Sequence, residues 1–290
     1  GDSLSMLQLA STAKDYAKKN GGNNFQFSSR QINTQYQQRL SLEAKLRRAL
    51  ERNELVLHYQ PKVDVQTNAI AGVEALLRWQ IKDHGLLTPD KFISMAEETG
   101  LIIPIGEWVL SQACKQLSEW LQAGKALIGM AVNLSAVQFQ NPEMHAIFKR
   151  IIENSGLDPQ LMTLELTESM LLEDIENKIE SMKRLKSLGL KLSIDDFGTG
   201  YSSLNYLRRL PLDELKIDRS FFVNLFEDTK GRSVISSLIF LARNLNLRTV
   251  AEGVETEQQL RFLQKERCDQ YQGFLFKPPL ESAEIFELLL

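Results

Sequence analysis

The sequence predicts an α/β fold, a (β/α)8 barrel of the TIM type preceded by a short helical or extended linker. Three observations favour this fold. Strand-like and helix-like segments alternate from about residue 55 onward, which predicts a mainly parallel sheet. About eight strand-like segments fall within about 240 residues, the size of a (β/α)8 barrel. Polar residues recur where these segments end, and barrel enzymes collect their catalytic groups at strand ends.

The first fifty residues differ in composition from the rest of the chain. They are rich in Gln, Asn, Ser and Lys and poor in large apolar residues, which indicates a tail and a linker. Leu42, Leu46 and Leu50 recur at four-residue spacing and predict a short amphipathic helix over Leu40–Arg52. We therefore assign residues 31–52 to a helical linker and residues 53–290 to the main domain.

The strands follow from apolar runs bounded by turn formers. A polar turn at Gln66–Asn68 separates the first two, so the barrel opens with a hairpin rather than a crossover. In chain order, the predicted strands are Leu55–Gln60 continued by Lys62–Val65, Ala69–Trp79, Leu127–Leu134, Leu161–Thr167, Lys191–Asp196, Glu214–Ile217, Leu247–Ala251 and Tyr271–Phe276.

The helix boundaries follow from capping residues. Thr88 as the cap and Pro89 at the first helical position open the first barrel helix, and Gly100 ends it. Gly156 and Gly189 end two later helices. The remaining predicted helices are Gly106–Gln122, Pro142–Ser155, Ile175–Leu188, Ser202–Arg209, Ser233–Asn244, Glu257–Gln264 and Ser282–Leu290.

Composition argues against several functional classes. A formal charge of −3 and a pI near 5.8 leave no overall basic field, so we expect no DNA binding and no membrane association for this chain. Cys114 and Cys268 have no metal-ligand or redox spacing, which is typical of a reducing compartment, and we expect a cytoplasmic location. Leu101–Leu110, the most apolar window, is interrupted by Pro104 and Glu107 and predicts no membrane span. A longer parent protein could still carry a membrane anchor.

The fifth strand ends in two adjacent carboxylates, Asp195 and Asp196, followed by a turn that contains Gly198 and Gly200. Side chains alternate along a strand, so both carboxylates can face one site only if the chain leaves regular strand geometry there. A metal site satisfies this pattern. A solvated turn before a helix is the alternative, and this segment alone leaves both open.

The other strands repeat the pattern. An amide, carboxylate or amine lies near the end of each, and although any one could be a helix cap or turn former, the series predicts a single site at one end of the barrel. These residues are Glu74, Asn133, Glu165, Lys216, Glu252 and Gln272.

The predicted ligand set is rich in oxygen donors. Hard oxygen ligands favour Mg²⁺ or Mn²⁺ over Zn²⁺, and no histidine occupies a strand end. Several carboxylates around one rim suit a pair of metal ions that activate a water for attack on a phosphoryl group. The predicted metal ligands are Glu74, Asn133, Glu165, Asp195, Asp196 and Glu252.

The strand ends also carry motifs in a fixed order. They are Tyr59–Lys62, Val73–Trp79, His84–Pro89, Val132–Ser135, Glu165–Ser169, Asp195–Leu204, Leu215–Asp218, Val250–Thr256 and Gln272–Phe276. From about residue 40 to the end, the chain resembles the EAL-domain cyclic di-GMP phosphodiesterases, whose name comes from the motif that here reads Glu74-Ala75-Leu76. The resemblance implies a first strand antiparallel to the other barrel strands, in agreement with the opening hairpin. It also implies hydrolysis of cyclic di-GMP to linear 5′-pGpG with two Mg²⁺ or Mn²⁺ ions, and inhibition by Ca²⁺.

The resemblance also implies roles for individual residues. One metal ion would be held by Glu74, Asn133, Glu165 and Asp195, and the second by Asp195, Asp196 and Glu252. Lys216 would position the attacking water, and Glu252 is open to two roles, general base or metal ligand. The substrate-binding residues would be Gln60, Arg78, Asp218 and Gln272, and Glu168 would support the loop after Asp196.

The beginning of the chain has a resemblance of its own. Ala17–Phe27 is similar to the last helix and strand of a GGDEF (diguanylate cyclase-like) domain, so we assign residues 1–30 to a remnant of such a domain. A solvated helical linker is the alternative. The resemblance implies a longer signalling protein with an upstream GGDEF-like or sensory domain, and a homodimer formed through the barrel.

Three functions are consistent with the sequence. The first is the metal-dependent phosphodiesterase. The second is a catalytically silent cyclic di-GMP receptor that signals by changing conformation, and the third is a barrel hydrolase acting on another phosphodiester. Silent members of the family typically lack a metal ligand or the lysine, and this sequence has the complete set, so we favour the enzyme.

Overall fold

A computed structural model describes Lys14 and residues 30–82, 85–126, 128–171, 174–198, 207–223, 225–227 and 229–289. The chain divides into two compact units, residues 1–54 and 55–290. Over the described part of the chain, no helix combines the length and apolar character that crossing a bilayer requires.

In the first unit, the described residues from 30 onward form a long helix, α1 (Arg30–Leu46), followed by turns that end at Asn53, a residue with a φ of +54°. The linker helix therefore begins earlier than predicted and stops at Leu46 rather than Arg52. The GGDEF-like remnant predicted for residues 1–30 lies outside the described residues except for Lys14 and Arg30, so that assignment stays a prediction.

The second unit is a barrel of strands surrounded by helices. Its strands are β1 (Leu55–Asp64), β2 (Ile70–Ile81), β3 (Gly85–Leu87), β4 (Gly129–Asn133), β5 (Met162–Thr167), β6 (Lys191–Phe197), β7 (Glu214–Ile217), β8 (Arg248–Glu252) and β9 (Gln270–Gln272). Its helices are α2 (Ile93–Glu98), α3 (Ile102–Gln122), α4 (Ala136–Phe139), α5 (Met144–Ser155), α6 (Ile175–Ser187), α7 (Thr229–Asn244), α8 (Glu257–Glu266) and α9 (Ser282–Leu288). Short 3-10 turns cover Pro89–Lys91, Pro159–Leu161, Glu168–Leu171 and Arg219–Phe221.

Eight strands close the barrel in the order β1-β2-β4-β5-β6-β7-β8-β9, and β9 pairs back with β1. β1 is antiparallel to both of its neighbours, whereas the other barrel pairs are parallel. The predicted barrel, its opening hairpin and its antiparallel first strand are thus confirmed. The short strand β3, which pairs with β2 outside the barrel, was not predicted.

Alternation along the strands separates an apolar layer from a polar interior. On β5, Leu164 and Leu166 are buried on either side of Glu165, and on β7 Leu215 and Ile217 flank Lys216. Because neighbouring strand residues face opposite sides, the leucines and Ile217 pack under the helices while the charged residues enter the barrel. The hydrophobic core therefore lies between strands and helices, and the barrel interior is left for chemistry.

Several predicted boundaries are wrong, and for three of them the local reason is evident. Thr88 does not cap a helix with its side chain but donates to the Asp90 carboxylate, and Pro89 opens a 3-10 turn before α2. α3 begins at Ile102 instead of Gly106, because a proline is tolerated in the first turn of a helix. The last strand stops at Gln272, where the chain turns away to pack on the backbone of Val254. Most of the predicted helix Ser202–Arg209 lies outside the described residues.

Candidate active site

The predicted site residues lie near or just after the C-terminal ends of the parallel barrel strands, except Gln60 and Glu74, which lie within the paired strands β1 and β2. The strand register brings several to the same level, since Gln60 pairs with Glu74, Asn133 with Glu165, and Glu252 with Gln272.

Lys216 is the centre of this cluster. Its Nζ lies 2.7 Å from Glu165 Oε2, 2.7 Å from Glu252 Oε1, 3.1 Å from Asp195 Oδ2 and 3.4 Å from Glu74 Oε2. The side chain is only 1% exposed, so its charge is balanced by these carboxylates rather than by water.

Glu74 is oriented by amides on both sides. Asn133 Nδ2 donates to its Oε1 at 2.6 Å, and Gln272 Nε2 donates to its Oε2 at 2.8 Å. The same Gln272 nitrogen donates to Gln60 Oε1 at 2.8 Å, and Gln60 donates to the carbonyl of Lys277 at 3.3 Å. A backbone carbonyl thus fixes which way both glutamine amides point, and they in turn hold Glu74.

Asp195 and Asp196 resolve the geometric conflict seen in the sequence. The pairing of β6 with β7 shifts register between Ile194 and Phe197, and Asp196 has a φ of +55°. This irregularity lets both carboxylates face one site: one oxygen from each, together with one from Glu252, lie within 4.8 Å of one another. This arrangement can hold a metal ion, and the chain does leave regular strand geometry at this point.

Burial dominates the electrostatics of the carboxylates. It raises the pKa values of Glu74 and Asp195, and it raises the pKa of Glu252 to about 8, with repulsion from neighbouring carboxylates adding to the effect. Burial would also raise the pKa of Glu165, but Lys216 and Lys62 outweigh it and hold that pKa at about 2. For Lys216, burial opposes the charge, yet the surrounding carboxylates raise its pKa well above its usual value. The site therefore places several buried carboxyl groups around one cationic lysine, and of these Glu165 is the one whose charge is most strongly favoured.

Glu168 lies directly after β5, with 2% of its surface exposed. Its Oε2 accepts a hydrogen bond from the Gly198 backbone nitrogen at 2.8 Å, which ties it to the segment after Asp196. Gly198 has a φ of +98°, and a Cβ there would lie 2.7 Å from the Phe221 ring, so only glycine fits easily.

The predicted substrate residues differ in their surroundings. Gln60 and Gln272 are buried within the amide chain that holds Glu74. Arg78 is half-buried near the end of β2, where its Nη1 donates to the Leu77 carbonyl at 2.8 Å. Asp218 caps the 3-10 turn after β7 by accepting from the Ser220 backbone nitrogen at 2.9 Å.

Sequence reasoning missed two charged residues inside the barrel, Lys62 and Glu214. Lys62 Nζ lies 2.7 Å from Glu165 Oε1 and 2.9 Å from Glu214 Oε1, and both residues are almost fully buried. The alternation rule could have found them, because Lys62 is two residues after Gln60 and Glu214 two before Lys216. Residues two apart on a strand share a face.

Fold and site together define the chain as a (β/α)8 barrel with an acidic site at the C-terminal ends of its strands. The model of the EAL domain family matches residues 43–279. The chain belongs to the EAL domain family.

The chain is similar to named proteins and to solved structures. The chain is 46% identical over 276 residues to the bifunctional diguanylate cyclase/cyclic di-GMP phosphodiesterase MucR of Pseudomonas aeruginosa, covering 95% of this chain and 40% of MucR. It is 42% identical over 284 residues to the cyclic di-GMP phosphodiesterase NbdA of the same organism, covering 98% of this chain and 36% of NbdA. The structure of the MucR phosphodiesterase in complex with c-di-GMP superposes with a TM-score of 0.82 at 47% identity, covering 84% of this chain and 99% of that one. The chain thus spans well under half the length of these curated relatives.

Proposed function

We propose that this chain hydrolyses one phosphodiester bond of cyclic di-GMP, giving linear 5′-pGpG, in a reaction that requires Mg²⁺ or Mn²⁺. The observation that carries the proposal is Lys216, whose ammonium group contacts Glu74, Glu165, Asp195 and Glu252 at the C-terminal end of the barrel. The names of MucR and NbdA support the substrate.

The donor set fits divalent cations that prefer oxygen ligands. We assign Glu74, Asn133, Glu165 and Asp195 to one ion, and Asp195, Asp196 and Glu252 to a second, because the latter three carboxylates already approach within 4.8 Å. When bound, such ions lower the pKa of a water and neutralise charge on the phosphoryl oxygens. Ca²⁺, which accepts more ligands at longer distances, is expected to occupy the site and inhibit.

The remaining roles belong to the chain's own groups. Lys216 donates hydrogen bonds to the attacking water and holds the carboxylates around it. Glu252, 2.7 Å from Lys216, serves as a ligand, and a carboxylate in this position can also accept the proton that the water loses. Arg78, Gln60, Asp218 and Gln272 are proposed to bind the dinucleotide, with Arg78 supplying a positive charge for a phosphate.

The first experiment measures cyclic di-GMP turnover by the whole chain with Mg²⁺ or Mn²⁺, beside Asp195→Asn, and cyclic di-GMP binding in Ca²⁺. Metal-dependent formation of 5′-pGpG by the parent and its loss in Asp195→Asn would support the proposal. Binding without turnover would instead identify the silent receptor. Turnover of other phosphodiesters without any of cyclic di-GMP would identify a different hydrolase.

The same proposal extends to partners. We propose that the chain is part of a longer cytoplasmic signalling protein in which residues 1–30 close a GGDEF-like domain and residues 31–52 lead into the barrel. We also propose a homodimer through the barrel, supported by the exposed apolar side chains of Val223 (67% exposed), which precedes α7, and of Val234 (42%) and Phe240 (69%), which lie on α7. Light scattering should report a dimer for the parent and a monomer for Phe240→Glu, and a monomeric parent would contradict it.

A further inference from the structure

Lys62 is a buried charge that the proposed reaction does not use. It comes from β1 and is 4% exposed, and its ammonium group reaches across the barrel interior to Glu165 on β5 and Glu214 on β7. Burying a lysine with two carboxylates costs desolvation energy that apolar side chains would avoid. A specific role at the site would account for its presence.

The two oxygens of Glu165 are divided between two lysines. Oε1 accepts from Lys62 at 2.7 Å, and Oε2 accepts from Lys216 at 2.7 Å. A carboxylate is planar, so a donor that holds one oxygen also sets the direction of the other. Lys62 therefore turns Oε2 of Glu165 toward Lys216 and the carboxylates at the mouth of the barrel.

A second hydrogen-bond donor near Glu165, the hydroxyl of Ser193, does not help to orient its carboxylate. Ser193 pairs in register with both Glu165 and Glu214, and its side chain is buried. Its Oγ has no hydrogen-bond partner among the described residues. The orientation of Glu165 Oε1 thus depends on Lys62.

We propose that Lys62 is a positioning residue that orients Glu165 as a ligand for the divalent cation. This inference rests on the proposed function, in which Glu165 is a metal ligand. It extends the site one layer into the barrel, where Lys62 is in turn held by Glu214 at 2.9 Å.

Removal of Lys62 distinguishes a role in positioning from an effect of its charge. Loss of positioning weakens cation binding, whereas loss of a nearby positive charge alone strengthens it. Removing a positive charge beside a cation site strengthens cation binding, and removing a negative charge weakens it. We therefore choose the charge-balanced variant Lys62→Met/Glu214→Gln, which removes one charge of each sign and leaves neither buried ion unpaired. The matched control is Glu214→Gln alone, which preserves the contact between Lys62 and Glu165.

Mn²⁺ binding to the whole chain is measured by calorimetry, and turnover is measured against Mn²⁺ concentration. For Lys62→Met/Glu214→Gln we expect Mn²⁺ affinity to fall about tenfold or more, the usual effect of losing a group that orients a metal ligand. The Mn²⁺ requirement for turnover should rise in parallel, while KM for cyclic di-GMP at saturating Mn²⁺ changes less than about twofold. Glu214→Gln should stay within about threefold of the parent in Mn²⁺ affinity, because Glu165 keeps its donor.

Mn²⁺ affinity of the double variant equal to that of the parent would overturn the inference and leave the proposed function intact. A parent that binds no Mn²⁺ and hydrolyses nothing would overturn both. Circular dichroism checks that each variant is folded. If the double variant does not fold, Lys62→Met/Glu214→Met, which also leaves Glu165 Oε1 without a donor from position 62 and buries no charge, faces the same criteria.

Discussion

At the scale of single residues, Lys216 connects more of the site than any other side chain described. If its ammonium group acts on the attacking water, Lys216→Ala removes an interaction made in the transition state and not in substrate binding. We expect turnover to fall below detection while affinity for cyclic di-GMP, measured in Ca²⁺, stays within about tenfold of the parent. A loss of affinity as large as the loss of rate would contradict this role.

Glu168 allows a second test at this scale. Among the described residues, its carboxylate is hydrogen-bonded to the site through the Gly198 backbone alone, so Glu168→Ala should raise the metal concentration that gives half-maximal activity by about tenfold. The matched variant Glu168→Gln retains an oxygen acceptor and should raise it less. A metal titration decides between them, and identical curves for Glu168→Ala and the parent would refute the loop-support role.

At the scale of elements, the sequence predicts strands and their facing residues better than irregular backbone. Position near the strand ends selected Glu165 and Lys216, and both are buried between apolar neighbours of β5 and β7, on the inner face of the barrel. The sequence predicted that β6 must become irregular if Asp195 and Asp196 are to face the same site. It did not predict the form of that irregularity, which is a register shift against β7. The end of β9 was missed because Phe274 and Phe276 continue an apolar pattern, whereas contacts with Val254 from a distant loop decide the turn.

The turn after Gln272 brings Gly273 so close to the backbone of Val254 that a substitution at Gly273 should be destabilising. A Cβ on Gly273 would lie 2.1 Å from the Val254 carbonyl oxygen and 2.3 Å from its nitrogen, so Gly273→Ala forces backbone to move. We expect a loss of about 1–3 kcal/mol in the free energy of unfolding, and lower turnover because Gln272 shifts from Glu74. Thermal unfolding measures the change.

Gly129→Ala is the matched control for this prediction. Gly129 also lies in a barrel strand, but among the described residues its added Cβ would meet nothing closer than 3.8 Å, so the melting temperature of Gly129→Ala should stay near that of the parent. Equal melting temperatures for Gly273→Ala and Gly129→Ala would show that the loop accommodates the methyl group.

At the scale of the whole molecule, the closed barrel was predictable because the alternation of strands and helices restricts the topology to few choices. The contents of its interior were only partly predictable. Residues near strand ends were found from their position. Alternation could also have placed Lys62 and Glu214 on the inner face, but not their ion pair, which depends on contacts across the barrel. Long-range pairing of charges is visible only once the strands are assembled.

The assembled interior carries an excess of negative charge, which links the stability of the molecule to metal binding. Asp195 is buried beside Lys216 and repelled by Glu165 and Asp196, so its negative charge destabilises the metal-free fold. Asp195→Asn keeps the shape and an acceptor for Lys216 while it removes that charge. We expect the metal-free melting temperature to rise in this variant, as is common when a functional site is relieved of like charges.

In Mn²⁺, metal binding should stabilise the parent more than it stabilises Asp195→Asn. A cation at about 100 times its dissociation constant stabilises the fold by about 2.7 kcal/mol, or about 5–10 °C in melting temperature, and EDTA should reverse the gain. Asp195→Asn should gain much less, so the order of the two melting temperatures inverts between EDTA and Mn²⁺. The surface variant Glu153→Gln, whose carboxylate is 65% exposed, should follow the parent in both conditions. An Asp195→Asn protein that is stabilised by Mn²⁺ as strongly as the parent would mean that the cation binds elsewhere.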